Sequence, residues 1–384
     1  MKVEELQIKA IYENNLDMKA FARMLESPTQ CYKFYWLEAI LTLMPEKDEL
    51  TFEEIIFEML WEAWFTVTQY HLHLGPTILG KSENLVEHAI HEIEKDQDIK
   101  VPMTREQFLH LILKNKERIK EDIKGLTLNV PYRLLSSFAS DIGGDNPLWN
   151  QKKRLIAYFS MLDTHTTLPY VIIDGRGSSR KIRINDSWKH VFMDNYSVIK
   201  SWIQMKKICY LQDRNPGVPG VVYKLEDEND KQRRLEQVRR LWLTYEKISS
   251  KPLVDIYSGK CIESKQLSID HFIPWSYVAN DELWNLLPMD KRNNSSKGNH
   301  LPDWDKYFME LVRTQYQLCG SVFENDHLRK SFESCKNHNL FAAWALEDLY
   351  SEKISFNQFS SVLEHHMKPI YEAAELQGYD IWNL

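Results

Sequence analysis

Apolar residues recur at three- and four-residue steps through most of residues 1–165, which is the pattern of amphipathic helices packed around a core. The clearest runs are residues 34–44 and residues 52–67. Thr51 precedes the second run and Glu54 follows three positions later, which predicts a capping box at the start of that helix. The pattern therefore predicts a helical N-terminal region.

Three aromatic residues, Trp61, Trp64 and Phe65, lie within the second of these runs. Such a cluster can stack on nucleic-acid bases or fill a core. Aromatic residues at helical spacing are much more often part of a core, so we interpret them as core.

The pattern changes in residues 166–250, where we predict a hairpin followed by a helical connector. Within residues 169–185, two short β-rich runs flank the turn-forming segment DGRGSS. Gly175 and Gly177 lack the lysine and the third glycine of nucleotide-binding loops, so we interpret them as part of a turn. The segment NPGVPGV, residues 215–221, excludes regular structure and predicts a boundary or an ordered bend.

A further helix is predicted over residues 224–248, with an acidic start and a basic middle. Its arginines, which include Arg233, Arg234, Arg239 and Arg240, are suited either to DNA phosphates or to a solvated face with i,i+4 ion pairs. The solvated face has the greater weight. We nevertheless retain Arg239 and Arg240 as candidate nucleic-acid contacts.

Composition and charge narrow the function classes only a little. The 384 residues are 43% hydrophobic and 27% charged, which is ordinary for a globular protein of two or three domains. The net charge of −7 means that contacts with phosphates would need a local basic patch. No membrane span or secretory signal is apparent. We expect a cytoplasmic protein.

The five cysteines are scattered and form no C-x-x-C pair. Such a set fits reduced thiols better than a disulfide framework. We also expect no structural zinc. The cysteines are Cys31, Cys209, Cys261, Cys319 and Cys335.

Residues 251–305 carry the candidate chemistry. Leu253–Tyr257 and Gln266–Asp270 are predicted to be short strands around a turn. Residues 282–298 are predicted to be a structured loop that passes into a short helix, and residues 306–384 to be C-terminal helices that pack on this region. Two strands and a helix can hold one metal ion between them.

Hydrolysis of a phosphodiester requires a deprotonated water and neutralisation of the charge that builds on the phosphate. A neutral histidine can do the first, and a hard divalent ion with oxygen ligands can do the second. Asp270 and His271 are adjacent, and neighbouring residues of a strand point to opposite faces. The carboxylate can therefore bind a metal while the imidazole faces the water, and Asn294 can supply a second oxygen ligand.

The run from Asp270 to Pro302 resembles the HNH nuclease motif, in the asparagine-ended form found in the HNH domain of RNA-guided CRISPR nucleases. Asn285 follows His271 by 14 positions and Asn294 follows Asn285 by nine, as in that domain. A lysine three positions further, Pro302 and the approach YSGKCI also match. The resemblance covers about 50 of the 384 residues and implies no RNA guidance.

The resemblance implies a role for each matching position. His271 would be the general base, and Asp270 and Asn294 would bind Mg²⁺, for which Mn²⁺ can substitute. Asn285 would steady the loop that carries the base. Lys297 would stabilise the phosphate or the leaving group.

The sequence alone leaves two metal-ligand assignments and two nucleic-acid contacts undecided. A one-residue shift would give the ligand role to Asn293, although the spacing favours Asn294. His300 is a further candidate ligand, because many HNH sites end in a metal-binding histidine. Lys291 and Arg292 are candidate nucleic-acid contacts beside the motif.

These expectations combine into an α+β, mostly α, protein in which a helical N-terminal region precedes a ββα-metal domain and C-terminal helices. We expect a metal-dependent endonuclease acting on DNA. The alternatives are a ribonuclease that uses the same site and a non-catalytic DNA-binding or scaffold protein. The chain also resembles bacterial HNH proteins with a helical region before the motif, which suggests defence against phage or foreign DNA. A partner protein or a homodimer is compatible with the long helical region.

Overall fold

The computed structural model describes residues 16–26, 28–76, 83–96, 99, 103–140, 142, 148–161, 167–173, 175–225 and 233–384. The fold of these residues is α+β and mostly helical, as the sequence predicted. The chain divides into two compact units, residues 1–216 and residues 217–384. The division falls within the proline- and glycine-rich segment 215–221. No helix in the described ranges has the length and apolar character to cross a membrane.

The described residues of the first unit form ten α-helices. They are α1 (Met18–Arg23), α2 (Tyr32–Leu43), α3 (Phe52–Thr68), α4 (Leu85–Glu94), α5 (Arg105–Asn115), α6 (Lys120–Thr127), α7 (Val130–Leu134), α8 (Lys152–Met161), α9 (Asp186–Asp194) and α10 (Tyr196–Arg214). Helices α2 and α3 correspond to the two predicted runs. The predicted capping box forms, because the Thr51 hydroxyl accepts the Glu54 N–H at 3.1 Å and the Glu54 carboxylate accepts the Thr51 N–H at 2.8 Å.

The aromatic cluster of α3 packs against α5. The Trp64 ring is buried, with its centroid 5.1 Å from that of Phe108, and the Trp61 ring lies 5.3 Å from the same ring. Phe65 is half-buried and contacts Trp61. The core interpretation is confirmed for Trp64, whereas Trp61 and Phe65 are half-buried.

A three-stranded antiparallel sheet completes the first unit, formed by β1 (Glu49–Thr51), β2 (Tyr170–Ile173) and β3 (Lys181–Ile184). The predicted hairpin is confirmed, since β2 pairs with β3 and Ile172 lies opposite Ile182. Strand β1 pairs with the other edge of β3. The sequence did not predict β1, because three residues directly before a helix show too little alternation to indicate a strand.

The described residues of the second unit form seven α-helices and two strands. They are α11 (Val221–Lys224), α12 (Glu236–Ser249), β4 (Leu267–His271), α13 (Trp275–Val278), β5 (Leu286–Asp290), α14 (Lys291–Lys297), α15 (Trp304–Glu324), α16 (Asp326–Asn339) and α17 (Phe356–Leu376). Helix α12 is the C-terminal part of the helix predicted over residues 224–248. Residues 226–232 of that prediction lie outside the described residues.

The pairing of strands in the second unit differs from the prediction. Strand β4 pairs with β5 in antiparallel register, from Leu267 opposite Asp290 to His271 opposite Leu286. The prediction of a strand at Leu253–Tyr257 is wrong, since this segment contributes only the bridge between Val254 and Cys261. Residues 286–290, which were predicted to belong to a structured loop, form β5, although Pro288 has no N–H to donate to a neighbouring strand. In a two-stranded sheet, however, both strands are edges, and an edge tolerates proline.

Candidate active site

Strands β4 and β5 and helix α14 form a ββα unit, in which the short helix α13 lies between the two strands, and this unit carries the predicted site residues of the motif. Asp270 and His271 end β4, and Asn285 directly precedes β5. The Asp290 carboxylate caps α14 by accepting the N–H of Arg292 at 2.9 Å. The helix ends at Gly298, whose φ of 52° suits glycine.

Asp255 fixes the turn before β4 to the start of α14. Its Oδ1 accepts the N–H groups of Tyr257 at 2.9 Å and Ser258 at 3.3 Å, which is an Asx turn. Its Oδ2 accepts the N–H of Asp290 at 3.1 Å and the side-chain amide of Asn293 at 2.8 Å. Sequence reasoning missed this buried residue, although an aspartate directly before a turn is a recognisable signal.

Asn294 lies against the face of β4 that carries Asp270. Its Nδ2 donates to the Ser268 hydroxyl at 2.6 Å. Ser268 and Asp270 are two positions apart in a strand, so their side chains share a face. Because Asn293 is bonded to Asp255, this geometry favours Asn294 over Asn293 as the candidate ligand.

The Asp270 carboxylate is buried, with 3% of its surface exposed, and both of its oxygens have partners. Oδ2 accepts the Tyr257 hydroxyl at 2.9 Å, and Oδ1 accepts the Lys297 ammonium at 3.0 Å. Lys297 is fully buried and also donates to the carbonyl of His271 at 2.6 Å. Burial lowers the pKa of Lys297, and the nearby Asp270 opposes that shift. The Lys297 ammonium thus contacts the Asp270 carboxylate and is not exposed at the surface.

His271 is buried and faces an aspartate that sequence reasoning did not single out. Its Nε2 lies 2.8 Å from Oδ1 of Asp281, which is ten positions further along the chain. Burial alone would raise the pKa of Asp281. The hydrogen bond with His271, the backbone N–H of Arg234 and the charge of Arg233 together lower that pKa below its ordinary value. Asp281 is therefore ionised near neutral pH.

Asn285 holds the loop that follows His271. Its Nδ2 donates to the carbonyl of Ile273 and its Oδ1 accepts the N–H of the same residue, both at 2.8 Å. Its own carbonyl accepts the N–H of Phe272 at 2.9 Å. Asn285 and Ile273 are both fully buried. This bonding suits the loop-steadying role that the resemblance implies.

The four residues predicted to contact nucleic acid differ in their exposure and in their ion pairs. Lys291 and Arg292 are exposed on the first turn of α14. Arg240 is exposed but pairs with Glu236 at 2.9 Å in i,i+4 spacing, as on a solvated face. Arg239 is half-buried. Lys291 and Arg292 are therefore more accessible to a nucleic acid than Arg239 and Arg240.

The donor set tests whether a metal ion fits this site. Asp270 and Asn294 supply carboxylate and amide oxygens, which a hard ion such as Mg²⁺ prefers over nitrogen and sulfur. Each carboxylate oxygen of Asp270 has two lone pairs, so neither Tyr257 nor Lys297 exhausts them. The types of donor atom on these two side chains therefore suit a hard cation. Among the described residues, no group of three or more His, Cys, Asp and Glu side chains could hold a metal ion.

His300 does not join Asp270 in the described contacts. It is exposed, and its Nδ1 lies 2.8 Å from the carbonyl of Lys297. That bond uses one of the two ring nitrogens. A ligand role for His300 stays a prediction.

Comparison with known proteins finds one match for this part of the chain. Residues 255–303 match the family model described as HNH endonuclease. The match begins at Asp255, ends just after Pro302 and includes the whole ββα unit. The resemblance to HNH nucleases is confirmed for this segment. No curated protein and no solved structure matches the chain.

Proposed function

We propose that this protein is a metal-dependent HNH endonuclease that hydrolyses phosphodiester bonds of DNA. The observation that supports the proposal is the ββα unit within the matched segment, on which Asp270 and His271 end β4 and Asn294 lies in α14 against that strand. Hydrolysis of a phosphodiester requires a general base and a centre of positive charge. His271 can act as the base, and Asp270 and Asn294 can bind the ion that carries the positive charge.

The chain's own residues divide the chemistry. His271, as a neutral imidazole, takes a proton from the attacking water. Asp270 and Asn294 would hold Mg²⁺, or Mn²⁺ in its place, and Lys297 with Tyr257 fixes the orientation of the Asp270 carboxylate. The bound ion supplies positive charge against the phosphate and the leaving oxygen.

Substrate phosphates would meet basic side chains around the ββα unit. Lys291 and Arg292 are exposed at the start of α14, and Arg239 and Arg240 lie on α12. The Arg233 guanidinium lies 5.3 Å from the ring centroid of Trp275, four residues beyond His271. With a net charge of −7, binding would depend on this local patch and would weaken steeply with salt.

Cleavage of supercoiled plasmid by the full chain tests the proposal, in Mg²⁺ or Mn²⁺ and with EDTA. His271→Ala is compared with His338→Ala, which removes an exposed histidine of α16. We expect metal-dependent nicking by the wild type and by His338→Ala, and none by His271→Ala. Cleavage that persists in His271→Ala or in EDTA would refute the proposal.

A ribonuclease is the second candidate, because the same site can cut RNA. A structured RNA in the same assay separates the two substrates.

A single ββα site cuts one strand at a time, so linear plasmid would require a homodimer, a partner protein or two successive cuts. A defence role predicts that His271→Ala abolishes protection in a phage challenge. A non-catalytic binding protein predicts DNA binding without cleavage under any metal.

A further inference from the structure

Asp281 lies at the centre of a hydrogen-bond network that joins His271 to two helices of the second unit. Its Oδ1 lies 2.8 Å from His271 Nε2, and its Oδ2 accepts the backbone N–H of Arg234, just before α12, at 2.7 Å. Asn339, the last residue of α16, donates to the carbonyls of Arg234 at 2.8 Å and of Asp281 at 2.9 Å. The side chain and the backbone of Asp281 are therefore both fixed.

Burial limits the exchange of hydrogen-bond partners for water at His271, Asp281 and Asn339. The side chain of His271 is 6% exposed and that of Asp281 is 11% exposed, while Asn339 is fully buried. A carboxylate that turned away from His271 would leave the buried ring nitrogen without its partner. Each unpaired buried group is costly, so the arrangement is rigid.

The ring nitrogen of His271 that carries the hydrogen is determined by its hydrogen-bond partner, Asp281. An ionised carboxylate can only accept hydrogen bonds, so the His271 nitrogen that faces it must carry the hydrogen. In a neutral imidazole the other nitrogen then has a free lone pair. We infer that Asp281 is a positioning residue, which holds His271 as the Nε2–H tautomer and leaves Nδ1 as the atom that takes the proton. This inference rests on the proposed nuclease function.

The proposed step balances with Nδ1 as the base. An O–H bond of water breaks and its proton moves to Nδ1, while the water oxygen bonds to phosphorus and the bond from phosphorus to the leaving oxygen breaks. The leaving oxygen takes a proton from solvent, and His271 returns its proton to solvent. While the imidazolium exists, its Nε2–H still faces Asp281, whose negative charge stabilises it.

The test compares Asp281→Asn with Asp122→Asn in the full chain. Asp122 is a matched control, because its carboxylate contacts His88 Nδ1 at 3.0 Å in the unit that does not hold the ββα site. Plasmid cleavage gives kcat and KM. Long-range nitrogen-15 NMR of histidine-labelled protein gives the tautomer, with the His271 signals assigned by their loss in His271→Gln.

We expect the wild type to show His271 protonated at Nε2 and bare at Nδ1. Asp281→Asn should mix the tautomers and lower kcat by about 10- to 100-fold, with KM nearly unchanged. Asp122→Asn should cleave as the wild type does. A purely structural role predicts a lower unfolding temperature, with the tautomer and the kcat of the folded protein unchanged, and that result would overturn the inference.

The two proposals fail separately. Cleavage by His271→Ala would remove the proposed function. Loss of cleavage in His271→Ala together with full cleavage by Asp281→Asn would remove only the role of Asp281. If Asp281→Asn does not fold, the wild-type spectrum still decides, because hydrogen at Nδ1 would overturn the inference.

Discussion

Asn285→Ala isolates the contribution of the two side-chain bonds that hold the loop after His271. The substitution removes the acceptor for the Ile273 N–H and the donor for the Ile273 carbonyl. Asn285 and Ile273 are both fully buried, so water cannot replace the lost partners. An unpaired buried backbone group costs about 1–3 kcal/mol, which gives roughly 2–6 kcal/mol for the two.

The same substitution should reduce cleavage. The loop of residues 272–280 begins directly after His271 and leads to Asp281, the partner of the imidazole. Loosening it displaces the base relative to the phosphate. A misplacement of about 1 Å can cost roughly 10²-fold in rate.

Hydrogen exchange of the full chain measures the effect on stability, because the free energy of opening can be read from peptides within residues 267–290. Asn280→Ala is the control, since Asn280 lies in the same loop but is exposed and makes one side-chain bond, to the carbonyl of Val278. We expect that control to change the opening free energy by less than about 0.5 kcal/mol. An equally small change in Asn285→Ala would refute the reasoning.

Three further predictions concern buried charges. Lys297→Met should destabilise the protein by about 3–5 kcal/mol in EDTA, because Asp270 loses its cation, and Mg²⁺ should restore part of the loss in thermal melts. Lys207→Met should destabilise by a similar amount of about 3–5 kcal/mol, and adding Glu38→Leu should recover most of it; a double variant no more stable than the single one would contradict this. The lowered pKa of Asp281 stabilises the fold above the unfolded value of about 4 and loses that effect as pH falls through the folded pKa. The difference in urea unfolding midpoint between wild type and Asp281→Asn should therefore be largest near neutral pH and shrink in acid, and a difference independent of pH would contradict the assignment.

Local signals allowed the sequence to predict several elements directly. The hairpin β2–β3, the helices α2 and α3 and the Thr51 capping box each depend on residues within a few positions of one another. The spacing of His271, Asn285 and Asn294 indicated the ββα unit through its resemblance to the HNH motif, and that resemblance is confirmed for residues 255–303.

The partners of the site residues were decided only by the tertiary structure. Strand β4 pairs with LLPMD and not with residues 253–257, and no local pattern chooses between two candidate strands. Asp270 bonds to Tyr257, which precedes it in the sequence, and to Lys297, which follows it. His271 bonds to Asp281, whose backbone carbonyl is held by Asn339 of α16. A buried polar group must find a partner, and which partner it finds depends on how distant segments fold back together. The sequence thus determined which residues carry the chemistry, whereas the fold determined what orients them.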